Sequence, residues 1–237
     1  MTLTTPAFSY PRWDEDKYLS WYSGSFSSVY VATNPFLKVP EFPLNSPGEW
    51  VSNEVLNLAK KRGEGCGASW QEMAKLCGFP STAHINRALR MTGSKRIEQK
   101  LACVSDTEKL MTICREQKIF APDEGYFSPL TELSIGHFLQ KLGYEEVVVS
   151  DHFGTSPKLM KTELFLRPEV LATPEIYAND KSVYLSIYTD YHYFLVCQTE
   201  SSRSVANPSD YFEGFFADDG TNDLWGVGDF REKSTGR

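Results

Sequence analysis

The sequence predicts an α+β protein, with a helical N-terminal half packed against a mainly antiparallel C-terminal sheet. Three observations carry this expectation. Apolar residues recur at helical spacing between Val51 and Leu142, then at strand spacing from Val147 onward. The hydrophobic fraction of 41% and aromatic fraction of 14% in 237 residues supply a core that needs no staples. No internal repeat, low-complexity tract or evident linker divides the chain. The expected organisation is one domain over 1–237 with three compositional stretches: an aromatic and proline-rich wrapping segment (1–47), a helical basic stretch (48–143) and a strand-rich acidic stretch (144–230).

The wrapping segment has too many prolines for a long helix. Val29, Tyr30 and Val31 place one strand over 25–32. The polar ends, 1–6 and 231–237, are expected to fray. A helix follows over 49–61, with Val51, Val55, Leu58 and Ala59 on its apolar face. Ser69-Trp70-Gln71-Glu72 is a capping box that opens a second helix, and Gly78 is placed to end it. Ile85, Ala88 and Leu89 line a third helix to about Met91, and Leu110, Ile113 and Cys114 line a fourth over 106–117. Ser128-Pro129 starts a fifth, with Ile135, Phe138, Leu139 and Leu142 inward and Gly143 at its end. Strands are then expected at 147–149 and 160–166. Two hairpins are expected, 183–188 with 191–199, and 212–217 with 223–227 across an Asp-Gly turn.

Several classes of function find no support. The five cysteines form no Cys-x-x-Cys pair, Asn207-Pro208-Ser209 is blocked as a glycosylation site, and no signal peptide or long apolar run occurs. These features point to a cytoplasmic protein with reduced thiols. No phosphate-binding glycine motif and no G-x-S-x-G elbow is present. The loop Asp218-Asp219-Gly220-Thr221-Asn222-Asp223 misses the calcium-loop register and reads as a solvated tip. No cofactor or metal site is expected, and nothing argues for an enzyme.

Two histidines adjoin acids. His152 follows Asp151 at the end of a strand, and His192 lies two residues after Asp190. A carboxylate can fix a histidine tautomer for general-base work, although structural histidines show the same pattern.

The net charge of −7 is unevenly spread: 60–100 holds nine basic residues against three acidic ones, and 200–229 holds seven acids against Arg203. Two readings follow. In the first, the chain is a non-enzymatic interaction protein, such as an immunity or inhibitor protein, whose Asp210, Glu213, Asp218, Asp219, Asp223 and Trp225 receive a basic protein partner. In the second, 69–91 is a helix-turn-helix-like unit, with Ala74 and Gly78 at the usual spacing. Arg87, Arg90, Lys95 and Arg96 then contact DNA from the outer face. The proline in its turn and the overall acidity weigh against the second, and an ordinary αα-hairpin looks the same. Both readings require the charge clusters to stand in water.

Four segments taken in order also carry a resemblance. They are Ser69-Trp70-Gln71-Glu72-Met73 with Gly78, Ser150-Asp151-His152-Phe153-Gly154, Ser186-Ile187-Tyr188-Thr189-Asp190, and Glu213-Gly214-Phe215-Phe216 through Asp218 to Trp225. Together they resemble an uncharacterised bacterial family, the YwbB-like proteins, over about 50–225. The resemblance implies a bacterial cytoplasmic protein and assigns no residue a role.

Overall fold

Side chains that alternate along extended β-branched and aromatic runs must bury two faces, which calls for a sheet with cover on both sides. A computed structural model describes residues 10–11, 15–42 and 51–227. The expected fraying of 1–6 and 231–237, and the start of the first expected helix at 49–50, lie outside them.

The chain opens with a short helix α1 (Tyr18–Tyr22), β1 (Ser28–Thr33) and β2 (Phe36–Lys38). Helix α2 (Asn53–Arg62) and β3 (Gly67–Ala68) lead into α3 (Trp70–Leu76), α4 (Thr82–Leu89) and α5 (Val104–Gln117). After β4 (Ile119–Phe120) come α6 (Pro129–Lys141), β5 (Glu146–Ser150), β6 (Lys158–Lys161) and β7 (Glu175–Tyr177). The chain closes with β8 (Val183–Ile187), β9 (Tyr193–Gln198), α7 (Glu200–Val205) and β10 (Gly214–Phe216).

The α+β class stands. Seven strands form one sheet in the order β10-β1-β9-β8-β7-β5-β6, and every pairing in it is antiparallel. One face carries Val29, Val31, Tyr184, Tyr193, Leu195 and Cys197, which pack with α1, α3, α4 and α5. The other carries Val147, Val149, Ile176, Leu185, Phe194 and Val196 against Ile135, Phe138 and Leu139 of α6. A three-stranded sheet, β3-β2-β4, forms a smaller cluster with Val55 and Ala59 of α2.

The division into a helical and a stranded half is only approximate, because β1 sits inside the main sheet between β10 and β9. Within the expected wrapping segment, Tyr18, Tyr22 and Phe26 are buried. The local signals fare well. Ser69 and Glu72 make both bonds of the capping box, Gly78 ends α3 at φ +60°, and Ser128 caps α6 with Pro129 in its first turn.

Two strand expectations are corrected. Residues 160–166 begin as β6 but continue as a 3₁₀ turn, Thr162–Leu166. The second hairpin does not form: β10 pairs with β1, and 223–227 is a series of turns. The Asp218 carboxylate accepts bonds from Gly220 N and Thr221 Oγ1, and Asn222 Oδ1 accepts one from Leu224 N. These local bonds replace a strand ladder. Leu224 and Val227 then bury beside Leu101. Among the described residues, no helix is long and apolar enough to cross a membrane.

Candidate functional site

Several of the residues expected to face partners are engaged within the protein. Arg90, placed by sequence on the outer face of α4, is instead its C-cap residue and 1% exposed. Its guanidinium donates to Tyr193 Oη and to the Asp223 backbone carbonyl, and lies 3.7 Å from the Asp223 carboxylate. Arg87 pairs with Asp106 at 2.5 Å and Arg96 with Asp190 at 2.5 Å, while Lys95 is exposed. On the acidic side, Glu213 accepts bonds from the Trp70 and Gln71 amides at the start of α3. Trp225 is half-buried against Trp70, Tyr193 and Phe215, so it is no exposed anchor. Asp210, Asp218 and Asp219 are exposed. The basic stretch and the acidic closing segment therefore meet at two points, the Arg90–Asp223 pair and Glu213 at the start of α3.

Neither histidine uses its neighbouring acid. The His192 ring nitrogens face the Pro122 carbonyl at 2.8 Å and the Leu89 carbonyl at 3.2 Å, and Asp190 is taken by Arg96. The Asp151 carboxylate accepts bonds from the amides of Phe153 and Thr155 and from the Thr155 hydroxyl. Those Thr155 bonds hold its carboxyl down at about 2. This turn also fixes the loop that carries Phe153, which is 83% exposed.

His152 nevertheless marks a site. At the end of β5 it lines a cavity of about 290 Å³ together with Tyr126, Ser150, Asp151, Lys158 and Thr173. The Ser150 and Thr173 side-chain oxygens are buried and have no hydrogen-bond partner. Tyr126 stands edge-on to the His152 ring at 5.9 Å. Burial pulls His152 below the ordinary histidine range. Beside Ser150, across the ladder, Glu175 is pushed up to about 7 by burial despite a bond from Tyr184 Oη.

A second cavity of about 280 Å³ abuts the first, and Tyr126 and Ala172 line both. Its wall is mostly apolar, including Leu37, Val51, Leu56, Phe127 and Val170. One carboxyl, Asp123, lines it and is pushed up to about 6 by burial. Ala172 holds φ +50°, a conformation costly for a residue with a Cβ. Its amide and that of Leu171 donate to Glu132, whose carboxylate is paired at 2.6 Å with Lys60 where both side chains are buried. The Lys60 ammonium also donates to the Glu169 carbonyl. A buried ion pair thus fixes the strained shared wall, as expected where a rigid scaffold positions a binding loop.

The chemistry available is recognition: a cavity lined in part by Asp151, His152 and Lys158, beside a mostly apolar chamber. Among the described residues, no group of three or more His, Cys, Asp or Glu is placed to hold a metal ion. The sequence flagged His152 and Asp151 but not Tyr126, Ser150, Lys158, Ala172 or Thr173. Ser150 belongs to the motif quoted around His152, whereas the others carry no local signal.

A family model described as a protein of unknown function, DUF2711, matches residues 14–227. No curated protein and no solved structure matches the chain.

Proposed function

We propose, for a chain that belongs to the DUF2711 family of proteins of unknown function, a non-enzymatic role in binding a small organic molecule across the paired cavities. The supporting observation is that the two cavities share Tyr126 and Ala172 in a wall braced by the buried Lys60–Glu132 pair. Cavities of 290 and 280 Å³ that abut suit a ligand with a polar end and an apolar end. The finer placement, a bacterial YwbB-like protein of the cytoplasm, rests on the four motif segments and on five free cysteines.

A fragment screen by ligand-observed NMR tests this reading. Binders are expected whose signals are lost in Tyr126→Ala and in Leu56→Trp, which fills the apolar chamber. A screen with no such binder removes the reading.

A second reading, an immunity- or inhibitor-type protein with a protein partner, is favoured by Phe153 standing 83% exposed on a braced loop beside Tyr126. Asp210, Asp218 and Asp219 remain exposed for a basic partner. A partner that still binds Phe153→Ser combined with Asp218→Asn and Asp219→Asn would remove it. The DNA-binding alternative is not carried further, since Arg90 is buried and Arg87 and Arg96 are in ion pairs.

A further inference from the structure

We infer that the ligand is a small amphipathic amine, its ammonium group paired with Asp123 and its apolar body lodged in the second cavity. This inference rests on the binding reading above and adds the chemical class. The wall of the second cavity is mostly apolar, from Leu37, Val51 and Leu56 through Phe127 to Val170. Asp123 is the one acid in it, and none of its described residues is a lysine, arginine or histidine. The Asp123 carboxylate makes no hydrogen bond or ion pair with the described residues, yet it is not sealed off as the Ser150 and Thr173 hydroxyls are. Burial pushes its carboxyl up to about 6, as expected for a charge held away from water without a counter-ion in contact. An ammonium supplies both the opposite charge and N–H donors, and such a bond gains strength between apolar walls.

The positive groups around Asp123 are committed elsewhere. His192 is near enough for its charge to favour the Asp123 carboxylate, but its ring nitrogens face the Pro122 carbonyl at 2.8 Å and the Leu89 carbonyl at 3.2 Å. The carboxylate it approaches is that of Glu124, at 3.6 Å. The first turns of α2 at Asn53 and of α6 at Ser128 and Pro129 also reach the wall, and a helix start ordinarily favours an anion. Here the Val55 amide donates to the Ser52 hydroxyl and the Thr131 amide to the Ser128 hydroxyl, while Pro129 has no amide proton. Each first turn also carries an acid, Glu54 in α2 and Glu132 in α6. Donors for an incoming anion are thus largely spent, and Asp123 sets the charge preference of the chamber.

The test uses the full chain and three probes that share one aromatic body: phenethylamine, 2-phenylethanol and 3-phenylpropionate, titrated by calorimetry near neutral pH. The amine is expected to bind about tenfold more tightly than the alcohol, with the carboxylate weaker still. Asp123→Asn keeps the shape and removes the charge; it lowers amine affinity about tenfold and leaves the alcohol unchanged. Asp123 is half-buried and holds no structural bond among the described residues, so its neutralisation reads binding without threatening the fold. The ranking of the three probes on the parent protein decides the class without any variant. An alcohol or carboxylate that binds as tightly as the amine overturns the inference, as does an amine indifferent to Asp123→Asn. If none of the three probes binds but other fragments do, with signals lost in Leu56→Trp, the amine class falls and the paired-cavity reading survives. If nothing in the screen binds, both fall.

Discussion

Arg90 and Asp223 form an ion pair at 3.7 Å with side chains 1% and 4% exposed, tying the α3–α4 hairpin to the closing segment. The Arg90 guanidinium also donates to Asn86 Oδ1 and the Arg96 carbonyl and lies 4.5 Å from the Tyr191 ring centre. Tyr191 Oη donates to the Asp223 carboxylate at 2.6 Å. Arg90→Met strips these acceptors of a donor and removes the guanidinium charge that faces the buried Asp223 carboxylate, so a loss of about 3–5 kcal/mol is expected. Arg90→Lys does not rescue it, because one ammonium cannot reach acceptors spread around a planar fork. Urea denaturation measures both; a loss under about 1 kcal/mol for Arg90→Met contradicts the assignment.

The wall shared by the two cavities depends on Glu132 in the same way. Glu132→Ala frees the Leu171 and Ala172 amides and removes the counter-ion of the buried Lys60 ammonium, for an expected loss of about 3–5 kcal/mol. At Ala172, with φ +50°, glycine removes the Cβ penalty but adds freedom to the unfolded chain, so Ala172→Gly is expected within about 1 kcal/mol of the parent. Valine, branched at Cβ, is expected to cost about 2 kcal/mol or more there. Thermal unfolding of the three variants checks the order; Ala172→Val as stable as Ala172→Gly refutes a strained wall.

What the sequence disclosed and concealed divides along the range of the interactions. The capping box at Ser69, the Ser128-Pro129 start and the β8–β9 hairpin are local, and each appears as expected. The insertion of β1 between β9 and β10 joins residues far apart in the chain, and no period in the sequence encodes it. Charge clustering was legible, but its meaning was not: a run of arginines looks the same whether it faces water or Asp106, Asp190 and Asp223. The cavity shows the same limit. His152 was visible beside Asp151, whereas Tyr126 and Thr173 join it only through the fold.

Gly125 positions the loop that presents Tyr126. It holds φ +75°, its amide donates to the Tyr191 carbonyl at 2.9 Å, and a Cβ there would lie 2.8 Å from the Thr189 carbonyl oxygen. A backbone atom cannot swing aside as a side chain can, so Gly125→Ala must displace the loop. The expected result is a loss of about 2 kcal/mol in stability together with weaker ligand binding. A variant as stable as the parent shows that the contact is not restrictive.

Glu175 makes the stability of the fold fall as the pH rises. Its carboxyl is pushed up to about 7 by burial, well above its unfolded value near 4.5. Between those two values the native state holds a proton that the unfolded chain has released, so stability declines through that window and is level above it. The loss across the window is at most about 3 kcal/mol. Asp123, pushed up to about 6 from 3.8, adds a slope of the same sign at slightly lower pH. Asp151, held down at about 2, acts oppositely: its contribution is lost only as the pH falls below about 3.8, so it does not overlap. Glu175→Gln keeps an acceptor for Tyr184 Oη and removes the ionisation, and is therefore expected to be more stable than the parent above pH 7 and to decline less between pH 5 and 7. Urea midpoints at pH 5, 6, 7 and 8 decide it; parallel profiles for variant and parent rule out Glu175 as the group responsible.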